Sequence, residues 1–369
     1  PNTAPEATDA PVPLPDPPRW NLSTGISARL TLSAQMIHGI RAVTNAYENQ
    51  QMQLEDARRS IEMQVRKSFY SILLQQESLA LSEQRLQAAQ ERLNEVRQNY
   101  QAGLVDELTL RQTQVAVENQ RPAILRQQQG LETAKRNLAS TIGIQSLQGV
   151  SIAGSIDTET LRLRDSEALL QFIDENADVR TARQNIRGLQ TQIDATRAGM
   201  LPTISFSLSA NPVLSGDPWS SDVFDTENWN EQGGSFRITL TQPLDPLLPG
   251  SGTRLDIANQ RDRLRQTELQ VEQNRQGTEL QTMQITAAIT ATEETIASLQ
   301  SNVALAERAF ELAEEAYESG LREYSVVRDA EIDLADARLQ LLQEQHQYID
   351  LLLDLENLLN TPIENLQEN

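Results

Sequence analysis

The sequence contains no cysteine, which excludes disulfide bonds, thiolate nucleophiles and cysteine-based zinc sites. Aromatic residues make up only 4% of the chain, and the hydrophobic content of 38% is low for a compact globular enzyme. Basic residues are also scarce, 31 against 52 acidic ones, which gives a formal net charge of −21. This charge argues against binding to nucleic acid, and it means that any membrane contact must be apolar rather than polybasic.

Long hydrophobic runs are missing as well, so no segment of about 18 apolar residues could cross a bilayer as a helix. The sequence also lacks a Gly-rich phosphate loop and an elbow nucleophile. The two histidines, His38 and His346, lie in different predicted helices. We therefore expect neither enzymatic activity nor a bound cofactor or metal.

The strongest pattern that is present is an internal duplication with an offset of 217 residues (317 − 100 = 217). In the first half, apolar residues recur every seven positions at Ile72, Leu79, Leu86, Leu93 and Tyr100, and again at Leu110, Val117, Ile124, Leu131 and Leu138. The same spacing returns in the second half at Ile289, Ile296, Val303, Phe310 and Tyr317, and at Val327, Leu334, Leu341, Tyr348 and Leu355. A seven-residue period predicts left-handed coiled coils with one apolar seam on each helix.

A Tyr-x-x-Gly-Leu motif interrupts each copy, with its glycine at Gly103 or at Gly320. Glycine adopts positive φ at little cost, so each motif predicts a turn between two antiparallel helices. The alternative, a tolerated glycine inside one helix, does not explain why two such motifs occupy equivalent positions. The predicted helices are 37–101, 104–142, 253–318 and 323–360, and Pro122 predicts a kink or a local break in the second of them.

Three short segments alternate between apolar and polar residues: 21–35, 203–210 and 235–242. Period-2 segments of this length suit a membrane β-barrel, although a strand of a soluble β-sandwich gives the same pattern. Three strands cannot close a barrel, and an open sheet edge is not tolerated in lipid. Closure of a barrel would therefore require several copies of the chain.

The duplication also predicts the domain organisation. The first repeat covers 1–142, an equatorial segment covers 143–174, the second repeat covers 175–360 and the tail covers 361–369. The second repeat opens with a helix at 175–199 and a strand that have no counterpart in the first. We expect that helix and strand to precede residue 1, so that a complete protomer supplies four strands.

Together these features resemble the TolC family of outer-membrane ducts. The resemblance rests on the segment LPTISFSLSA (201–210), on the paired hairpin motifs and on SVVRDAEIDLADARLQL (325–341). It implies a mainly α fold with membrane β-strands, in which long coiled-coil hairpins form a trimeric tunnel topped by a 12-stranded trimeric β-barrel. The implied function is that of the outer-membrane channel in a tripartite efflux or type I secretion system, a passive duct across the periplasm.

The resemblance also implies the partners of the chain: two further copies in a homotrimer, outer-membrane lipid, a periplasmic adaptor (membrane fusion) protein and an inner-membrane pump. By position, the adaptor is expected to dock on the two hairpin tips, which comprise Ala102, Gly103, Leu104, Ser319, Gly320 and Leu321.

The same resemblance assigns gating roles near the second tip. Tyr317 and Arg322 match positions that hold the periplasmic entrance shut, and Asp106 and Thr109 of the first hairpin are their predicted partners. Asp329 matches an acid that faces the lumen. Threefold symmetry would turn Asp329 into a ring of three carboxylates that favours cations, whereas the alternative is an ordinary solvated aspartate.

Two other functions compete with the channel: a periplasmic adaptor and a soluble coiled-coil scaffold. Adaptors flank a single helical hairpin with soluble β domains, whereas here strands recur between two hairpins. A scaffold would have no need for alternating strands.

Overall fold

The computed structural model of the chain describes residues 21–147, 149–150, 152–154, 156, 161–215, 229–230 and 234–367. The helices are α1 (Ala34–Gln101), α2 (Glu107–Ile142), α3 (Ser166–Leu169), α4 (Ala177–Ala198), α5 (Gly252–Glu318), α6 (Tyr324–Leu359) and α7 (Ile363–Leu366). The strands are β1 (Asn21–Ser23), β2 (Ile26–Leu32), β3 (Thr203–Ala210), β4 (Val213–Ser215), β5 (Trp229–Asn230) and β6 (Ser235–Thr241).

The chain divides into two compact units. One, the sheet unit, comprises Pro1–Ala46 and Arg187–Arg265, and the other, the hairpin unit, comprises Tyr47–Ile186 and Gln266–Asn369. Every helix in the described part of the chain is too short or too polar to cross a bilayer.

In the sheet unit, three antiparallel strands pair in the order β2-β3-β6. Leu30 lies opposite Phe206, which in turn lies opposite Ile238. Because side chains alternate along each strand, this row belongs to an entirely apolar face. The large apolar side chains that this face exposes are Ile26, Leu30, Leu32, Ile204, Leu208, Phe236, Ile238 and Leu240. Strands β1, β4 and β5 form a second, smaller sheet.

The strand predicted over 21–35 is divided and ends earlier than expected. It is interrupted at Thr24 and Gly25, where the Thr24 N–H donates to the Pro212 carbonyl at 3.1 Å. The second part ends at Leu32 because Ser33 starts a helix, its hydroxyl accepting from the Met36 N–H at 3.2 Å. A serine in this position satisfies a free backbone N–H at the start of a helix. The strand therefore ends at Leu32, although the alternation of apolar and polar residues continues to residue 35.

In the hairpin unit, the two return helices bury the predicted seams most completely. All five seam residues of α2, from Leu110 to Leu138, are buried. Four of the five on α6 are buried as well, and Leu341 is half-buried. On the long helices the seam is buried around Ile72, Ile289 and Ile296.

Helix α2 continues through Pro122, so the predicted break does not occur. Pro122 has no N–H for the carbonyl of Glu118, one turn earlier. Both residues are exposed, so water can satisfy that carbonyl.

The main core of the hairpin unit joins the second hairpin to part of the 143–174 segment. Leu169 and Ile173 pack there with Ile289, Ile296 and a group of α6 and α7 residues, namely Tyr348, Leu352, Leu355, Leu359 and Leu366. The Tyr348 hydroxyl accepts from the Leu161 N–H and donates to Glu293 Oε1, both at 3.0 Å. Burial raises the pKa of Tyr348 to about 12, so the phenol is neutral at physiological pH.

Replacing Tyr348 with phenylalanine should destabilise this core while keeping the ring. The Leu161 N–H and the Glu293 carboxylate would each lose a partner, at a combined cost of about 1–3 kcal/mol in the free energy of unfolding. Urea denaturation measures the loss. Tyr47→Phe is the matched control, because the Tyr47 hydroxyl is exposed and accepts only from Gln51 among the described residues. Equal midpoints for the two variants would contradict the role of the Tyr348 hydroxyl.

Candidate functional site: the two hairpin tips

The first hairpin turns at Gly103, which has a φ of 76°. The Leu104 N–H donates to the Asn99 carbonyl at 2.8 Å, and the Gly103 N–H donates to the Tyr100 carbonyl at 3.0 Å. These two bonds form a Schellman motif, which requires a left-handed residue after the last helical carbonyls. The Tyr-x-x-Gly-Leu pattern is the sequence signature of this turn.

The second hairpin repeats the same turn. Gly320 has a φ of 70°, the Leu321 N–H donates to the Ala316 carbonyl at 2.9 Å, and the Gly320 N–H donates to the Tyr317 carbonyl at 2.9 Å. The two turns thus present their leucines outward, Leu104 at 74% exposure and Leu321 at 78%.

The helices that follow the turns begin differently. Asp106 caps α2, because its Oδ1 accepts from the Thr109 N–H at 2.8 Å. Hydrogen bonds from the side chain and backbone of Thr109 lower the pKa of Asp106. Glu323 occupies the equivalent position before α6, but its side chain makes no capping bond. A glutamate is one methylene longer than the residues that cap well, so the first turn of α6 is held less firmly.

This difference predicts opposite effects of two substitutions on amide hydrogen exchange. Asp106→Ala should speed exchange in the first turn of α2, while Glu323→Asp should slow it in the first turn of α6. The Asp106 cap should also weaken in acid. Its folded pKa lies below the unfolded value of about 3.9, so its contribution is complete above that pH and is lost as the pH falls through the folded pKa. Asp106→Asn, which can cap without a charge, should exchange slowly across this whole range.

A cluster of aromatic and charged side chains joins the two hairpins behind the tips. The Arg92 guanidinium lies over the Tyr317 ring at 4.9 Å and over the Tyr324 ring at 4.4 Å. Arg92 Nη1 also pairs with Glu95 Oε2 at 2.6 Å, and the Tyr317 hydroxyl donates to Glu95 Oε1 at 3.3 Å. The two tyrosine rings meet edge to face at 5.9 Å. Arg92 and Glu95 of α1 thus hold both ends of the second turn.

Burial within this cluster changes how its side chains titrate. It raises the pKa of Tyr317, and the Glu95 charge adds to that shift. Burial also raises the pKa of Tyr324, although the charge of Arg92 opposes it. Both phenols therefore remain neutral at physiological pH. On α6, burial raises the pKa of Glu331 against the opposing charges of Arg85 and Arg92.

A cleft of about 400 Å³ lies between the hairpins next to this cluster. It is lined by residues of all four hairpin helices, including Arg85, Thr109, Tyr317, Tyr324, Arg328 and Glu331. A cleft in this position leaves room for the two hairpins to shift against each other.

Two further predicted gating residues, Arg322 and Asp329, are exposed. Arg322 makes no hydrogen bond or ion pair within the described residues. Asp329 Oδ1 accepts from its neighbour Arg328, from Nε at 3.1 Å and from Nη2 at 2.8 Å. The structure brings Asp106 together with Thr109 through the helix cap. Within the chain, Tyr317 contacts Arg92 and Glu95, and not its predicted partners Asp106 and Thr109.

Sequence reasoning missed Arg92, Glu95 and Tyr324. Tyr324 could have been found, because it is an aromatic residue at the start of α6 whose counterpart in the first repeat is Glu107 (324 − 217 = 107), so the two repeats differ there. Arg92 and Glu95 give no comparable signal, since charged residues three apart are common on helix surfaces.

The family model described as outer membrane efflux protein matches residues 17–144 and 168–361, which is most of the chain. The chain belongs to the outer membrane efflux protein family. Among proteins of curated function, none matches this sequence.

Solved structures support the fold of this outer membrane efflux protein. Vibrio cholerae VceC is 16% identical with a TM-score of 0.71, over 94% of this chain and 88% of VceC. CusC is 17% identical with a TM-score of 0.70, over 93% of this chain and 84% of CusC. Neisseria gonorrhoeae MtrE, whose structure is described as an open state, is 16% identical with a TM-score of 0.73, over 95% of this chain and 82% of MtrE.

Membership of the family confirms the predicted resemblance and the predicted class of function. The chain is an outer-membrane efflux channel with a large helical portion in the periplasm. The periplasmic adaptor and the soluble scaffold are not favoured.

Proposed function

We propose that three copies of this outer membrane efflux protein form a passive duct whose periplasmic entrance is built from the hairpin tips. The observation that carries the proposal is the exposed apolar face of the β2-β3-β6 sheet. Within the described residues, β2 and β6 each pair only with β3, so the sheet has two open edges. An apolar face suits lipid, but open edges do not, and strands of neighbouring copies would cover them.

The long helix α1 supports association through its own exposed seam. Tyr47, Leu54 and Ile61 recur every seven residues on α1, and they are 61%, 52% and 53% exposed. Apolar residues at this spacing fit the groove of a second helix. Since they have no such partner within the described chain, the helices of a neighbouring copy are the proposed partners.

The tips are the proposed docking surface for the adaptor that links the channel to an inner-membrane pump. Leu104 and Leu321 are among the most exposed apolar residues of the chain. Each is fixed in place by a Schellman turn, so a partner that buries it meets a preformed surface and loses little entropy.

We use the word latch for the contacts proposed to hold the periplasmic entrance shut. It combines contacts within one copy and contacts between copies. Within a copy, Tyr317 is held by Arg92 and Glu95. Arg322 is exposed and has no described partner, so it is available to Asp106 and Thr109 of a neighbouring copy. A cation at this position can reach the exposed Asp106 carboxylate while that carboxylate still caps α2.

Two experiments test the proposal. The full-length protein should require detergent and elute as a trimer, and a monomer that is soluble without detergent would contradict the duct.

Tyr317→Phe combined with Arg322→Ser should raise single-channel conductance in planar bilayers, because it removes one hydrogen bond and one cation from the latch. Arg111→Ser, on an exposed residue paired only with Glu107 and Gln114 among the described residues, is the control and should conduct as the wild type does.

A further inference from the structure

The loop between β6 and α5 exposes three leucines in the sheet unit. Leu244 is 66% exposed, Leu247 59% and Leu248 61%. In an outer-membrane protein, exposed apolar side chains of this kind mark a surface that lipid or another protein chain covers.

Local hydrogen bonds hold this loop in a conformation that leaves its leucines exposed. Residues Asp245–Leu247 form a 3-10 turn around the buried Pro246. The Arg254 guanidinium donates to the Pro246 carbonyl at 2.9 Å and to the Leu247 carbonyl at 3.4 Å. The 3-10 turn and the Arg254 hydrogen bonds therefore hold the loop with its leucines exposed.

The other two connections at this end of the sheet expose apolar residues as well. The row Leu32, Ile204 and Leu240 runs across all three strands. Four residues after Leu32 comes Met36, 52% exposed, and three residues before Ile204 comes Leu201, 51% exposed. The three leucines of the loop follow Leu240 in the same way.

We call these five exposed residues, Met36, Leu201, Leu244, Leu247 and Leu248, the collar; along the chain they flank the apolar row at this end of the sheet. We propose that this collar inserts into the periplasm-facing leaflet of the outer membrane, at the depth of the lipid glycerol and upper acyl groups. The inference rests on the proposed function, which places the sheet face in lipid. It adds that the membrane boundary lies beyond the strand ends, at a loop where the Leu244, Asp245, Pro246 and Leu247 carbonyls each accept a hydrogen bond from the turn or from Arg254.

The mixture of apolar and charged side chains in the loop favours the polar edge of a lipid layer as the occupant, because Asp245 is exposed between Leu244 and Leu247. The chain carries a net charge of −21, so it gains no attraction to anionic lipid overall, and the contact must rest on apolar side chains. The Arg254 guanidinium is bound to the loop backbone at Pro246 and Leu247, and a guanidinium at the edge of an apolar surface can also reach lipid phosphate while its stem stays among the acyl groups. A second copy of the chain is the competing occupant.

The absence of native cysteine allows a direct test with single cysteines and a fluorescent bimane label. Leu247→Cys reports the collar, Phe236→Cys the sheet face, and Leu305→Cys, 67% exposed on α5 in the hairpin unit, the aqueous control. Each labelled variant is reconstituted into phosphatidylethanolamine and phosphatidylglycerol vesicles, with or without brominated phosphatidylcholine, and bromine quenching is measured.

The proposal expects quenching at Leu247 comparable to that at Phe236, with none at Leu305. Quenching at Phe236 without quenching at Leu247 would overturn the collar and leave the duct intact. In that case, protection of the Leu247 label from aqueous iodide would identify a second copy of the chain as the occupant. Absence of quenching at both positions would overturn the lipid-facing sheet itself, and with it the proposed function. Leu248→Cys repeats the measurement should the first collar variant not assemble.

Discussion

Arg92→Ala should increase the open probability and the mean conductance of the channel more than any other single substitution in the hairpin unit. Arg92 contacts both tyrosines that flank the second turn and also pairs with Glu95. Its side chain is only 17% exposed, so these contacts are poorly screened by water. Alanine would release the second hairpin from the first.

The size of the effect follows from the number of contacts. A cation–π contact contributes about 0.5–2 kcal/mol, depending on desolvation, and Arg92 makes two of them. If opening breaks these contacts, the closed state loses about 1–4 kcal/mol per protomer. Since about 1.4 kcal/mol is a tenfold change in an equilibrium, we expect an increase of roughly tenfold or more in the population of open entrances.

Two further variants make the test of Arg92 specific. Arg92→Lys keeps the charge but loses the planar stack, so it should give an intermediate conductance. Arg97→Ala removes an exposed arginine from the same helix, one with no hydrogen bond or ion pair in the described structure, and should leave conductance unchanged. Planar-bilayer recordings of all three, each first shown to be a trimer in detergent, measure the effect. Identical recordings for Arg92→Ala and Arg97→Ala would rule out Arg92 as part of the gate.

The turns and the return-helix seams could be predicted from the sequence because each depends on local chemistry. Glycine is the residue that enters the left-handed region at least cost, as Gly103 and Gly320 do. The seven-residue spacing of residues such as Val117 and Val327 fixes the buried face of a helix. These features require no knowledge of which helices are neighbours.

The contacts behind the tips could not be predicted in the same way. Arg92 acquires its role only when α5 and α6 pack against α1, which brings Tyr317 and Tyr324 to its guanidinium. Likewise, Arg328 is an ordinary charged residue until the rotamers of two adjacent side chains join it to Asp329. Polar contacts between elements leave no periodic trace in the sequence, whereas apolar seams do.

The pair formed by Asp329 and Arg328 leads to a second large effect, on ion selectivity. Three copies of Asp329 around an axis would form an acidic ring, but each carboxylate already accepts two bonds from the Arg328 guanidinium. The net charge of the ring is therefore close to zero. Removing Arg328 should make the channel more selective for cations, and removing the charge of Asp329 should make it less so.

We expect the permeability ratio of cations to anions to decrease in the order Arg328→Ala, wild type, Asp329→Asn. Reversal potentials in a potassium chloride gradient measure this ratio, and the differences should shrink as salt rises, because both side chains are about half exposed or more and their field is screened. Glu107→Gln is the matched control, since Glu107 forms a comparable exposed pair with Arg111 at 3.1 Å on the other hairpin. If Asp329→Asn matches Glu107→Gln, Asp329 is a solvated aspartate that does not face the permeating ions, and the constriction must be built from other residues.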